Sequence, residues 1–205
     1  MSLLAYLALL PMLSGTRDGR LAAGLGNMLI LVGGVAAVSR SRRHTRIAVV
    51  MLAVCLPLQV MAIVAPNETL ITAVELTMLP FYGFAVVSLL AFVLRPGVVG
   101  ADRLYAAVSV YILFGFVWAL GYFALMHWSP DAFVATAREA AEHRLVYGDM
   151  LYFSFVSLTS TGYGDIVPVS PGARSMTVFE HIVGVMYVAI LIARLAGSYT
   201  SGREE

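Results

Sequence analysis

Ser160-Thr161-Gly162-Tyr163-Gly164-Asp165 gathers two glycines, one aromatic ring, a hydroxyl pair and a carboxylate into a single short stretch. The chemistry open to such a stretch is that of the main chain, because glycine admits dihedrals that other residues avoid. Immediately upstream, residues 150–159 form a short apolar and aromatic run. Taken alone, the hexapeptide also fits a glycine-rich turn between two membrane helices. Three ionisable residues, Glu75, Glu180 and Arg194, stand inside otherwise apolar segments. Burial there is costly, so each is a candidate for function or for structural pairing. There is no clustered Cys/His ligand set and no Ser/His/Asp arrangement, so nothing in the chain points to an enzyme or to a cofactor.

The hexapeptide resembles the pore loop of the potassium-channel family, whose usual signature reads Thr-Val-Gly-Tyr-Gly-Asp. In that family successive carbonyl oxygens replace the water around a potassium ion. The resemblance implies potassium ligands at Ser160, Thr161, Gly162 and Tyr163, with Gly164 completing the ion-binding stretch. Ser160 stands where threonine is usual and Thr161 where valine or isoleucine is usual. The Thr161 side chain is expected in the packing behind the filter. There its hydroxyl either finds a neighbouring partner or loosens the filter.

Filter support is expected from Asp165, Tyr152, Phe153 and Asp149, the first three by the same resemblance. Tyr163 braces the filter, and Asp165 sits at the outer mouth. An aromatic pair, Tyr152 and Phe153, packs behind the filter, and the Tyr152 hydroxyl donates to Asp165 thirteen residues later. Tyr152 also fits an ordinary interfacial aromatic. Val156 stands where some members carry a buried glutamate. Gly148 and Asp149 open the pore helix, and Asp149 can cap its amides. The carboxyl end of that helix then favours cations. Gly184 lies at the spacing of an inner-helix hinge, although glycine in membrane helices also serves close packing.

These residues need a membrane scaffold, and the composition supplies one. Hydrophobic residues make up 60% of the 205 residues and charged ones only 12%, with a mean hydropathy of +0.87. Such a chain belongs in the bilayer. The net charge of +1 gives no reason to expect nucleic acid as a partner. The single cysteine, Cys55, lies in an apolar span and cannot form an intrachain disulfide. All 13 basic residues are arginine, a hint of a GC-rich bacterial genome.

A membrane span needs about 20 apolar residues. Apolar segments lie between Arg20 and Arg40, between Arg46 and Glu68, and over 69–94, 104–128 and 173–199. Residues 1–16 are slightly short and suit a tilted span, a truncated one or a surface helix. Topology favours a span. A pore loop that enters from outside requires both flanking helices to end in the cytoplasm, and six spans then place both termini inside. The loop 39–46, rich in arginine, dominates orientation under the positive-inside rule, and it stays inside equally well with five spans if residues 1–16 lie on the surface.

The expected fold is therefore an all-α membrane protein of six transmembrane helices with a re-entrant pore helix and filter. Residues 1–95 form a peripheral four-helix domain. Residues 98–199 form the pore domain: outer helix 104–128, turret 129–147 with one short helix, pore helix 149–159, filter 160–165 and inner helix 173–199. Closing the pore takes four copies, so the partners are three further copies and the lipid bilayer of a bacterial inner membrane.

Span 69–94 lacks the arginine ladder of a voltage sensor, and the chain ends soon after residue 199, leaving no room for a soluble ligand domain. Glu180, Arg194 and Gly184 remain the gating candidates. Glu180 can bond the pore-helix backbone or pair with Arg174. Arg194 can snorkel to the cytoplasmic face or pair with Asp102. His181 and Cys55 read as packing residues. The expected function is a potassium-selective channel. A weakly selective sodium and potassium channel and a non-conducting accessory protein with a pore-like fold are the rivals.

Overall fold

A computed structural model of the chain describes residues 26–28, 30–33, 42–65, 67–95, 100–136 and 145–201. Five helices are complete in it: α1 Arg42–Val64, α2 Glu68–Val93, α3 Ala101–Trp128, α4 Tyr147–Leu158 and α5 Pro171–Ser201. Among the described residues four of them, α1, α2, α3 and α5, are long and apolar enough to cross a membrane. The expected span over 1–16 lies outside the described residues. So does most of the next one, of which residues 26–28 and 30–33 are helical.

The helix ends follow local chemistry. Asn67 Oδ1 accepts the Leu70 amide at 2.6 Å and caps α2. α3 stops where Ser129 N donates to the Leu125 carbonyl at 2.8 Å, and Pro130 follows, which cannot continue the helix. α5 opens on Pro171 with Ser170 Oγ accepting the Ala173 amide at 3.1 Å. Several boundaries differ from those expected. α1 begins at Arg42, so Arg42, Arg43 and Arg46 ride on its first turns instead of in a loop. Arginine is a good helix former, and the apolar run alone underestimates the helix. α3, α4 and α5 each start two or three residues before the expected positions as well.

The chain divides into two compact units, residues Met1–Phe92 and Val93–Glu205. In the first, the Cys55 thiol donates to the Thr77 carbonyl at 3.7 Å, joining α1 to α2. Tyr82 Oη donates to Asn27 Oδ1 at 2.6 Å. Glu75 is only partly enclosed, yet its Oε2 is buried without a hydrogen-bond partner among the described residues.

In the second unit α3, α4 and α5 pack together. A short turn at Pro130–Ala132 leads into strand β1, Phe133–Ala135, which pairs antiparallel with β2, Ile166–Pro168. The register sets Phe133 opposite Pro168, Val134 opposite Val167 and Ala135 opposite Ile166. This pair corrects the purely helical expectation. It occupies part of the expected turret and joins it to the segment that follows residue 165. Three buried rings hold the strand down. Tyr122, Phe133 and Phe153 meet edge to face, with centroids 5.2 to 5.3 Å apart. Two glycines let α4 come close to its neighbours. A Cβ at Gly115 of α3 would run into the Phe155 ring, and one at Gly184 of α5 would lie 2.5 Å from the Leu158 carbonyl oxygen.

Candidate functional site

The site is built from the end of α4 and the residues that leave it. Val146 precedes the helix in extended conformation, and its amide donates to Asp149 Oδ2 at 2.8 Å. Asp149 is thus the third helical residue and caps by reaching back. It does not open the helix itself, as the expected start at 149 required. Valine has no side-chain acceptor, so only this return half of a capping box exists.

The other end of α4 closes in a Schellman motif. Ser160 N donates to the Ser157 carbonyl at 2.8 Å and Thr161 N to the Val156 carbonyl at 2.9 Å. The motif needs a left-handed residue after the helix, usually glycine. Here Ser160 takes that place with φ +56°. Further along, Gly162 has φ +60° and Gly164 φ +78°, while Thr161 and Tyr163 do not enter the positive-φ region. The sign of φ therefore alternates through the stretch. In an ordinary strand successive carbonyls point to opposite sides. Alternating the sign of φ undoes that and turns them the same way.

The hydrogen bonds fix which way that is. The amides of Thr161 and Gly162 both point at the Val156 carbonyl, at 2.9 and 3.4 Å. No peptide bond is cis. In a trans peptide the carbonyl points opposite to the following amide. The carbonyls of Ser160 and Thr161 therefore face away from α4. Among the described residues, the carbonyls from Ser160 to Tyr163 accept no hydrogen bond, and residues 160–164 are exposed on the single chain. The negative end of the α4 dipole lies beneath them. Such a row of unpaired carbonyl oxygens above a helix carboxyl end can coordinate a cation.

The hydroxyl of Thr161, which the sequence left open between two fates, is paired. Thr161 Oγ1 lies 2.8 Å from Thr159 Oγ1. Thr159 donates to the Phe155 carbonyl at 2.7 Å, so Thr161 is the donor between the two threonines. At the far end of the stretch, Tyr152 Oη donates to Asp165 Oδ2 at 2.6 Å, the pairing that the family resemblance implied. Asp165 Oδ1 accepts the Ile166 amide at 3.0 Å, so both carboxylate oxygens are engaged. The hydrogen bond to Asp165 pushes the Tyr152 hydroxyl up to about 12. Tyr163 is 71% exposed on the single chain. Phe153 packs in the ring cluster with Tyr122 and Phe133, and through that cluster reaches Ile166.

Glu180 is fully buried. Its carboxylate accepts from Tyr122 Oη and Ser154 Oγ, each at 2.5 Å, so one side chain of α5 joins α3 to α4. Neither expected partner is used. The pore-helix contact is a side chain, not backbone, and Arg174 donates through Nε to the Pro168 carbonyl at 3.3 Å. Six residues at about 100° each put Arg174 on a different face of α5 from Glu180. Ser154 Oγ also lies 2.8 Å from the Gly115 carbonyl.

Gly184, expected as a hinge, sits inside an unbroken α5 where a side chain would meet Leu158. Arg194 donates to the Val93 carbonyl at 2.7 Å and to that of Arg95 at 2.9 Å. These carbonyls, and not Asp102, are its partners. His181 Nδ1 lies 2.6 Å from the Thr177 carbonyl. Tyr122, Ser154, Thr159 and Thr136 belong to the site and were not singled out from sequence. The one available signal was Ser154 and Ser157, two small polar residues on an otherwise apolar helix, both buried.

A family model described as an ion channel matches residues 107–201. Protein LctB of Bacillus caldotenax is 31% identical over 94 residues, covering 45% of this chain and 69% of that protein. Protein LctB of Geobacillus stearothermophilus is 34% identical over 96 residues, covering 45% and 69%. Two pore potassium channel c of Oryza sativa subsp. japonica is 30% identical over 94 residues, covering 46% of this chain and 20% of that one. No solved structure gives a significant match.

Proposed function

This chain belongs to the potassium-channel family, and from that premise we propose that four copies of it form a potassium-selective pore in a bacterial inner membrane, with both termini in the cytoplasm. The observation that carries the reading is the row of carbonyls from Ser160 to Tyr163, none of which accepts a hydrogen bond from the described residues, with φ alternating in sign and the first two carbonyls turned away from α4. These oxygens would replace the hydration shell of potassium, the permeant ion. One loop supplies a quarter of each coordination ring, so the ring closes by four-fold symmetry. Residues 98–199 would be the pore domain and residues 1–95 a peripheral domain without voltage-sensing arginines. Tyr163, exposed on the single chain, would brace the filter against a neighbouring copy.

The paired hydroxyl of Thr161 supports the selective reading over a weakly selective one, because that group brings no unsatisfied polarity to the filter. Purified protein in liposomes tests the proposal. A potassium flux blocked by barium, with a reversal potential set by the potassium gradient, is the expected result. Equal sodium and potassium permeability would favour the weakly selective channel, and absence of flux an accessory protein.

A further inference from the structure

The ladder between β1 and β2 does not end at Ala135. The next residue, Thr136, donates its amide to the Asp165 carbonyl at 2.7 Å. Its hydroxyl lies 2.8 Å from the Gly164 carbonyl and 3.2 Å from that of Asp165. A hydroxyl has one proton to give. The Asp165 carbonyl already holds the amide, so the proton goes to the nearer oxygen, that of Gly164. The five carbonyls from Ser160 to Gly164 are thereby unequal. The first four accept no hydrogen bond from described residues, and the fifth is held by the side chain of the residue that follows β1. Thr136 is itself held firmly. It follows directly on a strand whose Phe133 is locked between Tyr122 and Phe153.

We infer that Thr136 is a positioning residue for conduction: its hydroxyl holds the Gly164 carbonyl toward the outer segment, so that the outermost oxygen ring of the filter is a weak cation site. The inference rests on the proposed conduction through 160–164. A proton on one lone pair leaves the other free, but it turns the oxygen and opposes the approach of a second positive charge. Cations would then shed and regain water at the level of Tyr163, and the mouth above would release them readily to the outside. The sequence hid this role, because a lone threonine in a polar segment carries no pattern.

Thr136→Val keeps the β-branched shape and the amide but removes the hydroxyl. The side chain is exposed, so the substitution leaves no buried gap. Thr136→Ser restores the hydroxyl. Two measurements separate this inference from the function it rests on. The first needs no conduction. The chain contains two Gly–Asp peptides, Gly148–Asp149 and Gly164–Asp165. Labelling glycine carbonyl carbon and aspartate nitrogen therefore gives two NMR correlations, one serving as the reference. Thr136→Val is expected to shift only the Gly164 carbonyl, and Thr136→Ser to return it.

The second is external barium block of potassium flux. Thr136→Val is expected to tighten it about fivefold, the worth of one hydrogen bond, with internal block unchanged. An unmoved Gly164 signal, or an unchanged external block in a conducting protein, overturns the inference while the channel reading stands. A wild-type protein that passes no potassium overturns both.

Discussion

Tyr152 in α4 and Asp165 are joined by a 2.6 Å hydrogen bond that spans the whole of residues 160–164. The bond closes a loop whose inner end is already fixed by the amides of Thr161 and Gly162 on the Val156 carbonyl. Opening it loosens the tie between α4 and the far end of the stretch, where Thr136 still holds the Gly164 and Asp165 carbonyls. Tyr152→Phe should therefore speed the loss of current during sustained opening about fivefold, as expected for one hydrogen bond of roughly 1 kcal/mol at an exposed site. An unchanged time course in a conducting mutant would remove this role.

The same pair sets a pH window. The Tyr152 hydroxyl is raised from the ordinary tyrosine value to about 12 by its bond to Asp165. A raised group contributes its full stabilisation below about 10, its unfolded value. That contribution is lost as the pH climbs through about 12. Current in the wild type should hold steady up to about pH 10 and then decay faster with each further rise. Tyr152→Phe should lack that alkaline acceleration, and a mutant with the same profile as wild type would contradict the assignment.

How much of this was legible in the sequence depends on the distance over which each contact acts. Tyr152 and Asp165 are readable together because a short helix and a glycine-rich turn fix the path between them. The Schellman closure is readable in principle, yet Ser160 stands where glycine would announce it. Glu180 is legible as an anomaly, a carboxylate in an apolar span, but not its partners. Tyr122 and Ser154 are brought to it only by the crossing of three helices. The β1–β2 pair was invisible because strands of three residues have no periodicity to detect. The expected gating role of Gly184 came from the family resemblance, and that of Arg194 from a charge inside an apolar span. Their surroundings, the Leu158 carbonyl and the carbonyls of Val93 and Arg95, are tertiary facts.

Glu180 gives a second kind of test. Glu180→Ala would leave the Tyr122 hydroxyl without this acceptor, while the Ser154 hydroxyl keeps the Gly115 carbonyl at 2.8 Å. The cost is about 1–3 kcal/mol for a buried group left unpaired. Glu180→Gln keeps an oxygen for Tyr122 and a second polar atom for Ser154. Thermal unfolding in detergent should drop sharply for alanine and little for glutamine. Equal losses in both would mean that the negative charge, and not the hydrogen-bond geometry, is what α3 and α4 require.

For Gly184 the choice lies between bending and close packing. A Cβ there would stand 2.5 Å from the backbone oxygen of Leu158, and backbone cannot give way as a side chain can. Gly184→Ala should therefore lower the unfolding temperature as well as the flux, since α4 must move off α5. A pure hinge predicts a fall in open probability at unchanged stability. Measuring both on one preparation decides between them.

Ser160 links strain to chemistry. A non-glycine residue in the left-handed region costs about 1–2 kcal/mol, and Ser160 holds φ +56° to close α4. Ser160→Gly should relieve that strain and raise the stability by about 1 kcal/mol. It would also remove the hydroxyl oxygen at the innermost end of the carbonyl row. If that oxygen serves as an ion ligand, the mutant should be more stable to heat and yet bind internal barium more weakly. A mutant that gains stability and keeps its internal block would show that Ser160 acts through its backbone alone. One that gains no stability would show that the left-handed turn is not strained.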